Sequence, residues 1–173
     1  MKTHTPPHSK VDIITRSKEE AGRILPQQKR EWSVVSIGSP GSDPPAGFNP
    51  KDPEHKRFEF DDIRNDPTPG QEKFYRAPSK EDVAQIIEHG QKADRPILSH
   101  CRAGVSRGTA AAWAIRCAHG EPPRQALHRV VKDRPQASPN PLMTQHADDI
   151  LEQDGEMVQA LDELPPPRQR DQL

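Results

Sequence analysis

In the stretch Ile97 to Gly108 (Ile-Leu-Ser-His-Cys-Arg-Ala-Gly-Val-Ser-Arg-Gly), Cys101 and Arg107 stand six positions apart, between a short apolar run and an alanine-rich segment. A strand that ends in a tight loop and re-enters the fold as a helix aims backbone N–H groups and the positive helix end at one point. An anion belongs there. The same field favours the thiolate of Cys101 over its thiol, and the thiolate is the form that attacks. Arg107 closes the loop with a planar fork that can hold two phosphate oxygens at once, which lysine, as a point charge, cannot do. The intervening backbone of Arg102, Ala103, Gly104, Val105 and Ser106 supplies the rest of the cradle. A nucleophile inside a phosphate cradle is equipped for phosphoryl transfer.

Those residues need a strand before them and a helix after them. Pro96 to Ser99 reads as the strand, and from Ser106 an alanine-rich helix runs to His119, where Gly120 stops it. Upstream, Val11 to Thr15 is a β-branched run, Ser17 caps a helix towards Leu25, and Trp32 to Ile37 reads as the next strand. The segment from Gly38 to His55 is rich in proline and glycine and longer than a plain connection, which predicts an insertion or a lid. Phe58-Glu59-Phe60-Asp61-Asp62-Ile63 alternates as a short strand does and delivers two carboxylates at its end. After a second long loop, Arg64 to Pro78, Ser79 starts a helix with Val83, Ile86 and Ile87 on one face and Gly90 at its end. Pro122 to Lys132 is helical, and Asn140-Pro141 begins a last helix to about Asp154.

Strands interleaved with helices predict a single α/β domain over 11–155, with a mainly parallel central sheet and helices on both faces. Residues 1–10 are expected to be a disordered tail and 156–173 a polar, proline-rich one. In such sheets ligands sit at the carboxyl ends of the strands, where both Cys101 and Asp62 fall.

Composition bounds the partners. With 25 basic and 26 acidic residues the formal net charge is −1, so nothing in the balance points to nucleic acid or an anionic membrane. A mean hydropathy of −0.98 and 20 prolines imply long loops around a modest core. Two cysteines, with no signal peptide or bilayer-length apolar run, fit a soluble cytoplasmic protein in a reducing interior.

The string His100-Cys101, five residues, Arg107, with Ala103-Gly104-Val105-Ser106 inside it, resembles the phosphate loop of the cysteine-based protein tyrosine phosphatases, nearest to the dual-specificity branch and its bacterial relatives. The resemblance implies that Cys101 attacks phosphorus, that Arg107 clamps the transition state, and that an aspartic acid protonates the leaving oxygen. Asp62 is the choice for that acid, with Asp61 and Asp66 as alternatives, because related enzymes place it after an apolar-x-apolar-x strand. His100, Thr109 and Asn140 take supporting roles. His100 is read as a buried hydrogen-bonding neighbour, and Asn140 as a brace for the loop or a helix cap. One position departs from the family pattern. Gly108 stands where a serine or threonine hydroxyl usually supports the thiolate, which predicts slow turnover.

The reaction implied is metal-independent hydrolysis of a phosphomonoester through a cysteinyl-phosphate, with no cofactor and no metal. The partner would be a phosphorylated protein or a small phosphomonoester, phosphotyrosine by default. The loop's variable positions, Arg102, Ala103 and Val105, carry one charge and no lysine, so a polyphosphorylated substrate is not specially favoured. Phe74, Tyr75 and Arg76 are candidates to line the mouth. Zinc on His100, Cys101, Cys117 and His119 has poor geometry, since neighbours at a strand end point to opposite faces. Cys117 reads as a core residue, about 24 Å along the helix from Cys101 and too far to act as a resolving thiol. The alternative to an enzyme is a catalytically weak or inactive phosphate-binding module.

Overall fold

Period-two alternation along four short strands decides which side chains meet which helices. The computed structural model describes residues 11–170, so the tail expected at 1–10 lies outside the described residues. Strands β1 (Ile13–Ser17), β2 (Ser33–Gly38), β3 (His55–Glu59) and β4 (Ile97–Cys101) form one sheet in the order β1-β4-β2-β3, all parallel. Six α-helices are present among the described residues: α1 (Lys18–Ile24), α2 (Lys80–Gln91), α3 (Arg107–Ala118), α4 (Pro123–Asp133), α5 (Pro141–Ile150) and α6 (Glu156–Asp162). Ile13, Val35, Ile37 and Ile97 point into a large core shared with α2 to α6. Their neighbours Ile14, Val34 and Leu98 point the other way, into a small core with Ala21, Leu25 and Trp32 under α1. No helix among the described residues is long and apolar enough to cross a membrane.

β4 lies between β1 and β2, so its carboxyl end, Cys101, emerges inside the sheet. The helix that follows is buried at every position from Arg107 to Cys117. Small side chains at Gly108, Thr109, Ala110, Ala111, Ala112 and Ala114 let the helix be packed closely on all sides. Its one large ring, Trp113, is fully buried and donates its indole N–H to the Pro123 carbonyl at 2.9 Å. The two serine caps form as the sequence predicts. Ser17 and Glu20 make a reciprocal capping box on α1, as do Ser79 and Asp82 on α2.

Four expectations are corrected. Gly90 does not end its helix, which runs to Gln91. It is there for space, since a Cβ at that point would lie 2.5–2.7 Å from the Ile115 side chain of α3. The strand expected over Phe58–Ile63 is placed earlier, at His55–Glu59, because its ladder with β2 begins at Val34↔His55. The Gly38–His55 segment is no free insertion: Gly47 packs onto Leu25 so closely that a Cβ would meet the Leu25 side chain at 2.6 Å.

The domain also extends past 155. Met157 and Ala160 of α6 are buried in the large core. The buried carboxylate of Asp148 accepts hydrogen bonds from the N–H groups of Gly155, Met157 and Val158, capping α6 from α5. Polar composition hid a helix whose cap lies on another element.

The Gly90 contact gives a test in which packing opposes propensity. Alanine favours a helix interior by up to about 1 kcal/mol over glycine, yet Gly90→Ala is expected to destabilise by about 1–3 kcal/mol through overpacking against Ile115. Urea denaturation of both proteins measures the sign.

Candidate active site

A peptide unit that turns its N–H towards a ligand turns its carbonyl away, so a backbone cradle is built by satisfying carbonyls from outside. Five successive carbonyls of the loop are satisfied in that way. The Arg102 carbonyl accepts from the Lys18 N–H at 3.2 Å. Arg134 reaches in from the end of α4 and donates to the Ala103 and Gly104 carbonyls at 3.0 and 3.1 Å. The N–H groups of Ser138 and Asn140 donate to the Val105 and Ser106 carbonyls at 2.8 and 3.1 Å. None of the N–H groups from Arg102 to Arg107 donates to a protein acceptor among the described residues. Gly104 makes the turn possible. Its φ of +70° is left-handed, and a Cβ there would lie 2.6–2.8 Å from the Arg16–Ser17 backbone, so no other residue fits.

Arg134 is itself held. Its guanidinium pairs with Glu20, whose carboxyl it holds down at about 2, well below the ordinary range. One cation thus ties α4, the capping box of α1 and two loop carbonyls together.

Cys101 is buried at the end of β4. Beneath it lies a polar chain from β3 through β2 to β4: Arg57 Nη1 donates to Ser36 Oγ at 2.9 Å, and Ser36 Oγ lies 2.6 Å from His100 Nε2. Nδ1 faces the Cys101 carbonyl at 3.3 Å, an acceptor only, so Nδ1 carries the proton, and in the neutral ring Nε2 accepts from the Ser36 hydroxyl. His100 is therefore a neutral spacer. Burial, with Arg57 and Arg107 nearby, lowers its pKa from 6.5 to about 4. Cys117 is buried in the large core, and burial pushes its thiol up, as suits an inert core residue.

Arg107 is buried at the start of α3, with Nη1 donating to the Phe60 carbonyl at 2.7 Å and to Ser39 Oγ at 3.4 Å. Its Nε and Nη2 hydrogen-bond no protein atom among the described residues. The three candidate acids separate. Asp62 Oδ1 accepts from Ser106 Oγ at 2.6 Å and Asn140 Nδ2 at 2.8 Å, which fixes the carboxylate against the loop. Asp61 instead clasps Arg76, accepting from its N–H and donating to its carbonyl. Asp66 lies exposed in the following loop. The Asn140 side chain accepts from the Met143 N–H as the cap of α5 and donates to Asp62 Oδ1, while its backbone N–H reaches the Ser106 carbonyl of the loop. Thr109 does not face the thiol. Its hydroxyl donates to the Val105 carbonyl at 2.5 Å. Gly108 presses on the strand, where a Cβ would lie 3.2–3.3 Å from Thr15 Cγ2, the Cys101 N and the His100 carbonyl carbon.

No protein-family model and no curated protein sequence matches the chain. Among solved structures, human DUSP28 matches with a TM-score of 0.55 at 20% identity, over 86% of this chain and 94% of that one. DUSP15 matches at 0.50 and 19% identity over 94% and 96%. A mouse chain described as a dual specificity phosphatase, solved with zinc tungstate, matches at 0.51 and 16% over 95% and 98%. The fold is that of the dual-specificity phosphatases.

Sequence reasoning missed Lys18, Ser36, Arg57, Arg64 and Arg134. Arg64 braces the rim by donating to Ser106 Oγ at 2.9 Å. Each lies outside the loop motif, and no spacing links it to Cys101.

The buried His100 sets a pH dependence. The folded chain keeps it neutral down to about pH 4, while the unfolded chain takes up the proton near 6.5. The unfolded state binds more protons between these values, so stability present above 6.5 is lost as pH falls towards 4, by on the order of 3 kcal/mol. Urea midpoints at pH 7 and pH 4.5 should converge in His100→Gln relative to the native protein. His55 and His89, also lowered by burial, leave a residual slope.

Proposed function

We propose that the chain hydrolyses phosphomonoesters through a cysteinyl-phosphate, without a metal ion. The observation that supports this reading is the loop whose five successive carbonyls are all occupied, leaving its N–H groups next to Cys101 without a protein acceptor among the described residues. Three equatorial phosphate oxygens there meet backbone donors and the unpaired edge of Arg107. The thiolate attacks phosphorus in line, forming the S–P bond as the ester P–O bond breaks, and Asp62 gives its proton to the leaving oxygen. Water then attacks phosphorus, Asp62 takes its proton, and the S–P bond breaks to return the thiolate. Held by Ser106 and Asn140 on Oδ1, Asp62 has Oδ2 for the proton.

Gly108 favours a second reading, a phosphate-binding module with little turnover. The loop then keeps its anion site while the thiolate lacks a hydroxyl donor, because the Thr109 hydroxyl is taken by the loop's own carbonyls. A hydrogen bond to a charged group contributes about 1.5–3 kcal/mol, so its loss slows turnover by one or two orders of magnitude.

Hydrolysis of a small aryl phosphate in EDTA separates the two. The native protein is expected to turn over, Cys101→Ser to lose all activity, and Asp62→Ala to lose at least tenfold in kcat. A native protein that binds vanadate but releases no phosphate establishes the binding module instead.

Gly108→Ala and Gly108→Ser test the missing hydroxyl. Both crowd the Cys101 backbone and are expected to lose about 1 kcal/mol of stability. The serine variant should exceed the alanine variant in kcat by at least tenfold. Equal rates would show that the hydroxyl has no role here.

A further inference from the structure

The cavity at the mouth of the loop is lined by cations that the cradle itself does not use. Its volume is about 330 Å3, and its charged lining is Lys18, Arg57, Arg102 and Arg107 against the carboxylate of Asp43. Arg107 belongs to the cradle. Arg57 is tied down by Ser36 and Ser42, and its buried Nε has no hydrogen-bond partner, so its charge remains in the wall with Glu59 3.7 Å away.

Lys18 and Arg102 differ from these two. Neither side chain pairs with a carboxylate or hydrogen-bonds a protein acceptor among the described residues. Their backbones are joined by the bond from the Lys18 N–H to the Arg102 carbonyl, so the two side chains leave from neighbouring points. Two unpaired cations beside a filled cradle add the charge that a second phosphate, at about −1.5 to −2, would neutralise.

We propose that Lys18 and Arg102 form a second anion subsite, and that the substrate is a small, non-aromatic phosphomonoester carrying a further phosphate. This rests on the phosphatase reading of the loop. The cavity is at the small end of ligand sites, which run from about 300 to 1,000 Å3. No aromatic ring lines it. Phe74 and Tyr75 are exposed, but on the other loop and outside this lining, so a phosphotyrosine ring finds nothing there to stack on. Counting the loop's own charges alone gave polyphosphates no advantage. The fold adds Lys18 from the β1–α1 junction and Arg57 from β3.

The test uses Cys101→Ser protein titrated calorimetrically with myo-inositol 1-phosphate and myo-inositol hexakisphosphate at one ionic strength. Neighbouring phosphates on every ring carbon of the latter remove any assumption about spacing. The hexakisphosphate is expected to bind at least tenfold more tightly, and Lys18→Gln or Arg102→Gln to remove most of that difference. Lys92→Gln, which deletes an exposed charge at the end of α2, should preserve it. Equal affinity for the two compounds, equal effects of Lys18→Gln and Lys92→Gln, or tighter binding of a phosphotyrosine peptide would each overturn the subsite. Turnover of the same compounds is measured with Cys101 intact. Failure to release phosphate from any of them, with the binding preference intact, refutes the hydrolase and upholds the subsite.

Discussion

Peptide geometry couples the two faces of the loop from Cys101 to Arg107: each N–H aimed inward sends a carbonyl outward, and a buried carbonyl without a donor costs about as much as a lost hydrogen bond. The site therefore exists only because the surrounding chain delivers donors to the loop's back. Those donors come from far apart in sequence. Lys18 opens α1, Arg134 ends α4, and Ser138 and Asn140 precede α5. Much of the architecture serves that arrangement, including the Glu20 carboxylate that orients Arg134 and the Asp133 carboxylate that holds Arg16 and the Thr15 N–H beside it.

A second constraint is charge. The loop mouth gathers Lys18, Arg57, Arg102 and Arg107 against two carboxylates, Asp43 and Glu59, and like charges at this range repel in a half-buried setting. The fold limits the cost by keeping His100 neutral and by spreading the Arg57 charge over hydroxyl and carbonyl partners. What remains unbalanced is the attraction for an anion. Glycine serves geometry in the same region: Gly104 lets two backbones touch, and Gly108 lets α3 start against β4, at the expense of a hydroxyl.

The loop motif was legible because all its parts are adjacent in sequence. Cys101, the amides that follow it and Arg107 are fixed relative to one another by local backbone geometry, and the strand and helix around them follow from apolar runs and alanine content. Asp62 was legible as one of three carboxylates. The strand-end pattern favours Asp62 over Asp61 and Asp66, and of the three Asp62 is the one that meets Ser106 and Asn140, a contact between three separate segments. Gly90 was misread because a glycine late in a helix reads as a stop, while its reason lies in Ile115 on the next helix.

The sequence by itself determined the strand-loop-helix unit, the caps at Ser17, Ser79 and Asn140, and an α/β fold with Cys101 at the carboxyl end of a strand. These are near-neighbour effects, set by hydrogen bonds and apolar spacing within a few residues. Tertiary structure alone decided what surrounds the loop. The sheet order places β4 between β1 and β2, which brings Lys18 and Arg57 to a cavity whose own motif carries no lysine. Packing of α4 and α5 brings Arg134 and Asn140 to the loop's back and rim. Such pairings depend on sheet order and helix packing, which no local spacing along the chain encodes.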